Sequence, residues 1–191
     1  MTFTIPNLLS LFRMGLVPLF IISVIDGQAL RALVIFLLAG ITDALDGFIA
    51  RVFKQQSLLG TYLDPIADKL LLVSAYVTLS IPQLNQGIQI PLWVTVLVIA
   101  RDVLLVVVAL ILYLAAGIRS FPPTLLSKIN TALQVVAVVL VLISGTFPEI
   151  RWIDLTADTT IYLVAALTLI SGLDYIVRSN RLQPAQKTPQ A

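Results

Sequence analysis

Four aspartates, Asp43, Asp46, Asp64 and Asp68, stand in the array D-x2-D-G-x2-A-R-x8-G-x3-D-x3-D. Carboxylates three or four residues apart project from one face of a helix, so Asp43/Asp46 and Asp64/Asp68 each present paired oxygen donors. The residues around them are apolar enough to lie in a bilayer, where an aspartate at mid-helix costs about 2.5–3.5 kcal/mol. Carboxylates converging in such a place require positive charge among them. A divalent cation, with water and substrate phosphate, meets that demand, and an all-oxygen donor set suits Mg2+, Mn2+ or Ca2+. The chain has no cysteine and no histidine. Thiol nucleophiles, histidine bases and the soft ligand sets of zinc or copper are therefore excluded, which leaves carboxylate chemistry.

The elements that must position these groups are membrane spans. Of 191 residues, 59% are hydrophobic and only 12% charged, and a mean hydropathy of +1.01 is outside the range of ordinary soluble domains. Apolar runs near the length a bilayer helix needs fall at 8–25, 30–51, 57–80, 91–116, 124–146 and 156–177. The reading is an all-α integral membrane bundle of six transmembrane helices, entered through a short interfacial N-terminal segment. One domain covers 1–182, and 183–191 reads as a disordered tail. No cleavable signal peptide is expected, because residues 1–12 lack a basic n-region.

Six spans place both termini on one side. That side collects Arg13, Arg51, Lys54, Arg119, Lys128, Arg178, Arg181 and Lys187, against Arg31 and Arg151 opposite. The bias puts the termini in the cytoplasm. Lys69 and Arg101 remain within the membrane. On an antiparallel hairpin of the second and third spans, Asp43 and Asp68 lie about 12 Å deep, and Asp46 and Asp64 are shallower. The hairpin is expected to bring the two acidic faces directly together. Gly47 and Gly60 let a helix or a nucleotide approach the backbone, Ala50 keeps that surface low, and Arg51 either grips phosphate or snorkels to the interface.

The eight positions Asp43, Asp46, Gly47, Ala50, Arg51, Gly60, Asp64 and Asp68 resemble, without exception, the signature of the CDP-alcohol phosphotransferases. The resemblance implies a homodimer of six-helix subunits with cytoplasm-facing sites. It also implies transfer of a phosphatidyl group from CDP-diacylglycerol to an alcohol, with release of CMP. By the same resemblance Asp43, Asp46 and Asp64 hold one or two ions, Mg2+ or Mn2+, on the diphosphate. Asp68 is a further ligand or the base for the acceptor hydroxyl, and Gly47, Ala50, Arg51 and Gly60 receive the nucleotide.

The opening Ile5-Pro6-Asn7-Leu8-Leu9-Ser10-Leu11-Phe12-Arg13 resembles that of the phosphatidylglycerophosphate and cardiolipin synthases of the family, both of which use glycerol-based acceptors. The segments 100–103 and 127–134 are similar to the cardiolipin-synthase version. Two cations usual in the glycerophosphate enzymes are missing near 106–109 and at Asn130, which suits a phosphodiester acceptor such as phosphatidylglycerol over a free phosphate dianion. Glycerol 3-phosphate is the second choice. Arg101 and Lys128 are the candidates for the acceptor's phosphate, with the alternative that Arg101 is locked to Asp174 or to the aspartate cluster. Asp102 points about 100° away around the helix from Arg101, so it is not an automatic partner. Lys69 is read as a local partner of Asp68. The partners expected are lipids and the membrane, with no nucleic acid. Competing readings are a buried ion-pair network of the aspartates with Lys69, Arg101 and Lys128, a cation transporter or channel, and a structural scaffold.

Overall fold

The computed structural model describes residues 5–52, 58–82, 89–116 and 124–181. Within them the chain forms six helices and no strand: α1 (Ile5–Ile25), α2 (Ala29–Val52), α3 (Leu58–Leu79), α4 (Leu92–Ala116), α5 (Leu125–Thr146) and α6 (Arg151–Arg181). The 183–191 tail lies outside the described residues. At 1.5 Å per residue, even the 21-residue α1 reaches about 30 Å, the thickness of a bilayer's hydrocarbon core. Among the described residues, α1, α5 and α6 are long and apolar enough to cross a membrane on composition alone.

The surface is apolar where a soluble protein would be polar. Leu30, Val34, Leu37, Leu38 and Ile41 on α2, and Val103, Val106, Ile111 and Leu114 on α4, all face outward. A continuous apolar exterior of this extent is solvated by lipid chains rather than water.

Inside, α1 lies against both α2 and α3, α6 lies against α4 and α5, and α2 packs on α5 to join the two groups. All six helices contribute to one buried cluster, with Phe20 of α1 and Phe36 of α2 stacked at 5.8 Å between ring centroids. The turn from α1 to α2 ends in a paired cap. Gln28 N–H donates to Ser23 O at 2.9 Å and Gly27 N–H to Val24 O at 3.0 Å, and Gly27 takes the left-handed φ of 68° that this motif requires.

The architecture refines the expected hairpin: among the described residues α2 and α3 each pack mainly on α1, and their acidic faces meet beside it, with Asp43 next to Asp68. The opening segment is likewise no separate interfacial element. It is the first half of α1, and its polar residues Asn7, Ser10 and Arg13 are buried.

Candidate active site

Helices α1 and α3 run in the same direction, and their polar residues match in register. Ser10 Oγ donates to Asp64 Oδ1, and one turn further along Arg13 Nη1 donates to Asp68 Oδ1. From the antiparallel α2, Asp43 Oδ1 sits 2.8 Å from Arg13 Nη1, and Asp46 Oδ2 accepts from Arg13 Nη2. The four carboxylates do converge on one region, as the spacing predicts. What gathers them is a helix that sequence reasoning did not include.

Arg13 thus moves from the cytoplasmic loop count into the centre of the site. Its side chain is 1% exposed, against 46% for Asp43, 4% for Asp46 and 48% for Asp68. A guanidinium stays charged in any protein environment and presents its N–H groups as a planar fork, so one residue can hold carboxylates from two helices. Among the described residues no three acidic side chains are arranged so that one ion touches them all. Removing Arg13 from the loop count leaves the charge bias in the same direction.

Gly47, Ala50 and Arg51 fall in the last turns of α2, and Gly60 falls in the first turn of α3. Their surroundings lie outside the described residues.

A second polar group stands beside the first, at the end of the bundle where α1, α3 and α5 begin. Lys69, next in sequence to Asp68, turns away from it and pairs with Asp102 Oδ2 on α4. Arg101 is buried and donates from Nη1 to Asp102 Oδ1 at 2.8 Å, so the neighbour that helical angle alone left open is a partner. A long arginine side chain can fold back over its own turn, which a Cα-based angle does not anticipate. Arg101 Nη2 donates to Ser127 Oγ of α5 at 2.6 Å and to Ser171 Oγ of α6 at 2.7 Å. Replacing Arg101 with methionine keeps the apolar stem and removes a tie between three helices. We expect a stability loss of about 2–4 kcal/mol, measured as loss of folded protein in a detergent-resistant unfolding titration.

Thr124 caps α5 by accepting from Ser127 N–H at 3.2 Å, which fixes the first turn carrying Ser127 and Lys128. Asn130 of α5 and Thr168 of α6 exchange hydrogen bonds at 3.1 and 3.2 Å and hold the next turn. Lys128 is exposed. It borders a cleft of about 380 Å3 with Ser127, Thr131 and Val135. Thr131 and Val135 also line a cleft of about 180 Å3 whose polar wall is Arg13, Asp43, Asp68 and Lys69, and whose apolar wall includes Phe36, Leu71 and Leu72. The two clefts therefore share a wall, and a lipid-like molecule with an anionic head could span from Lys128 to the aspartates.

An apolar-walled cleft ending in clustered carboxylates is a place for chemistry on an amphiphile's head group. The family model for CDP-alcohol phosphatidyltransferase matches residues 3–171. The chain belongs to this family. Among CDP-alcohol phosphatidyltransferase relatives, a human cardiolipin synthase (CMP-forming) is 39% identical over 162 residues, covering 75% of this chain and 52% of that protein. The CDP-diacylglycerol–glycerol-3-phosphate 3-phosphatidyltransferase of Haemophilus influenzae is 33% identical over 182 residues, covering 92% of this chain and 93% of the relative. A probable phosphatidylglycerophosphate synthase of Mycobacterium tuberculosis is 33% identical over 181 residues, covering 92% and 81%. The chain spans about half the length of the human and rat cardiolipin synthases it matches.

Proposed function

We propose that this CDP-alcohol phosphatidyltransferase moves a phosphatidyl group from CDP-diacylglycerol to a glycerol-based alcohol, with phosphatidylglycerol as acceptor and cardiolipin as product. The observation that carries the reading is the gathering of Asp43, Asp46, Asp64 and Asp68 around Arg13 and Ser10 of α1, with Asp43 and Asp68 on the wall of an apolar cleft. The donor set fits a divalent ion: every ligand is a hard carboxylate oxygen, and one guanidinium cannot balance four negative charges. Asp43, Asp46 and Asp64 would hold Mg2+ or Mn2+, with Asp68 a further ligand or the base. When bound, the ion draws charge from the diphosphate and makes CMP a better leaving group.

The chain's own residues supply the rest. Asp68 accepts the proton as the acceptor's hydroxyl oxygen forms its bond to the phosphatidyl phosphorus. The bond from that phosphorus to the CMP oxygen breaks, and its electron pair leaves with CMP. Gly47, Ala50, Arg51 and Gly60 receive the nucleotide, while the apolar wall of Phe36, Leu71 and Leu72 keeps water from competing as acceptor. Lys128 meets the acceptor's phosphate, with Arg101 as a second cation behind Ser127. Both termini and the site face the cytoplasm, in a homodimer. The basic-residue bias supports the first part of that placement, and family membership the second.

The test is CMP release by purified protein given CDP-diacylglycerol and Mg2+ or Mn2+, with no acceptor, glycerol 3-phosphate or phosphatidylglycerol. Release is expected to be metal-dependent and fastest with phosphatidylglycerol. Glycerol 3-phosphate as the preferred acceptor would make the chain a phosphatidylglycerophosphate synthase. In the same assay Lys128→Ala should raise the acceptor KM about tenfold with kcat nearly kept, because one exposed charge contributes to binding and not to the reacting atoms.

A further inference from the structure

Arg13 holds the oxygens that an ion would need. Its Nη1 pairs with Asp43 and Asp68, and its Nη2 with Asp46. Yet it is an incomplete counter-charge: three carboxylates touch one monovalent cation, and a fourth, Asp64, is held by the neutral Ser10. A cluster left with that excess of negative charge attracts a second cation. The two contacts differ in depth. Asp46 is buried with Arg13, whereas Asp43 and Asp68 are about half exposed on the cleft wall. Arg13 Nε, also buried, has no hydrogen-bond partner, so the guanidinium is secured only through its two terminal nitrogens.

We infer that Arg13 is the resident counter-cation of the site and that divalent-ion binding is a cation exchange. The ion competes with Arg13 for Asp43, Asp46 and Asp68, the carboxylates that Arg13 pairs with in this structure. This inference rests on the divalent-ion reading above. It assigns Arg13 two effects of opposite sign: it holds α1, α2 and α3 together without metal, and it weakens metal binding by competing for the same oxygens. A residue that merely braces the fold would not tighten metal binding when removed.

The experiment measures Mn2+ binding to full-length protein in detergent, without nucleotide, by loss of the free-Mn2+ electron paramagnetic resonance signal, together with thermal unfolding with and without Mn2+. Arg13→Gln is expected to unfold at a lower temperature without metal, to gain more from Mn2+ than the parent, and to bind Mn2+ about tenfold more tightly, as fits removal of one competing charge. If Arg13→Gln does not yield folded protein, Arg13→Lys, which keeps the charge and loses the fork, should bind Mn2+ more tightly by about threefold. Unchanged or weaker Mn2+ binding in the folded variant overturns the exchange while leaving the enzyme reading intact. Absence of Mn2+ binding in the parent overturns both.

Discussion

Asp43→Asn will lower metal-dependent CMP release by about 10^2–10^3-fold and leave the metal-free fold in place. The first half follows from charge. Asparagine keeps the shape of aspartate and loses one of the anionic oxygens that draw an ion to the cleft, and a neutral amide is a poor substitute as a ligand to a hard cation. The second half follows from Arg13. With Asp43 gone, its guanidinium retains Asp46 and Asp68, so no buried cation is left unpaired. Asp43 is 46% exposed, so the amide needs no new buried partner. The melting temperature should stay within about 4 °C of the parent. Asp64→Asn should behave in the same way, because Ser10 can donate to an amide oxygen as it does to the carboxylate. Retained turnover in either variant removes that aspartate from the metal set.

The spans were legible because hydropathy reports contact with lipid, and here nearly every helix has such contact. Its failures are at polar ends. Helix α6 starts at Arg151, before the run expected from 156, since Asp154 favours the first helical turn and accepts from Ser144 of α5 at 2.6 Å. The aspartates were legible because their spacing fixes a shared face whatever the helices do next. Arg13 was not, because counting charges at span ends assigns every terminal arginine to water. A signal was nevertheless present: Ser10, Arg13, Val17, Phe20 and Val24 are spaced three and four residues apart, and all five are buried on one stripe of α1. A polar pair continuing an apolar stripe belongs to the interior. The partner of Lys69 was misjudged for a different reason. Adjacent residues in a helix diverge at Cα, but the long side chains of Lys69 on α3 and Arg101 on α4 both reach Asp102 of α4.

Asp68→Asn separates binding from chemistry in a way that Asp43→Asn does not. If Asp68 takes the hydroxyl proton, the variant should bind CDP-diacylglycerol within about threefold of the parent and lose about 10^2–10^4-fold in kcat, the range general-base removal commonly gives. The position supports a proton acceptor. Asp68 lines the cleft, is 48% exposed and lies beside apolar Leu71 and Leu72, so an acceptor's hydroxyl can reach it from the lipid side. Lys69 cannot substitute for it, being committed to Asp102 on the neighbouring helix. Arg13 keeps Asp43 and Asp46 in the variant, so the fold is not the casualty. Equilibrium binding of CDP-diacylglycerol measured alongside single-turnover CMP release decides the matter. A parallel loss of both makes Asp68 a holder of the ion and nucleotide, and the proton must then leave through another of the carboxylates that Arg13 gathers.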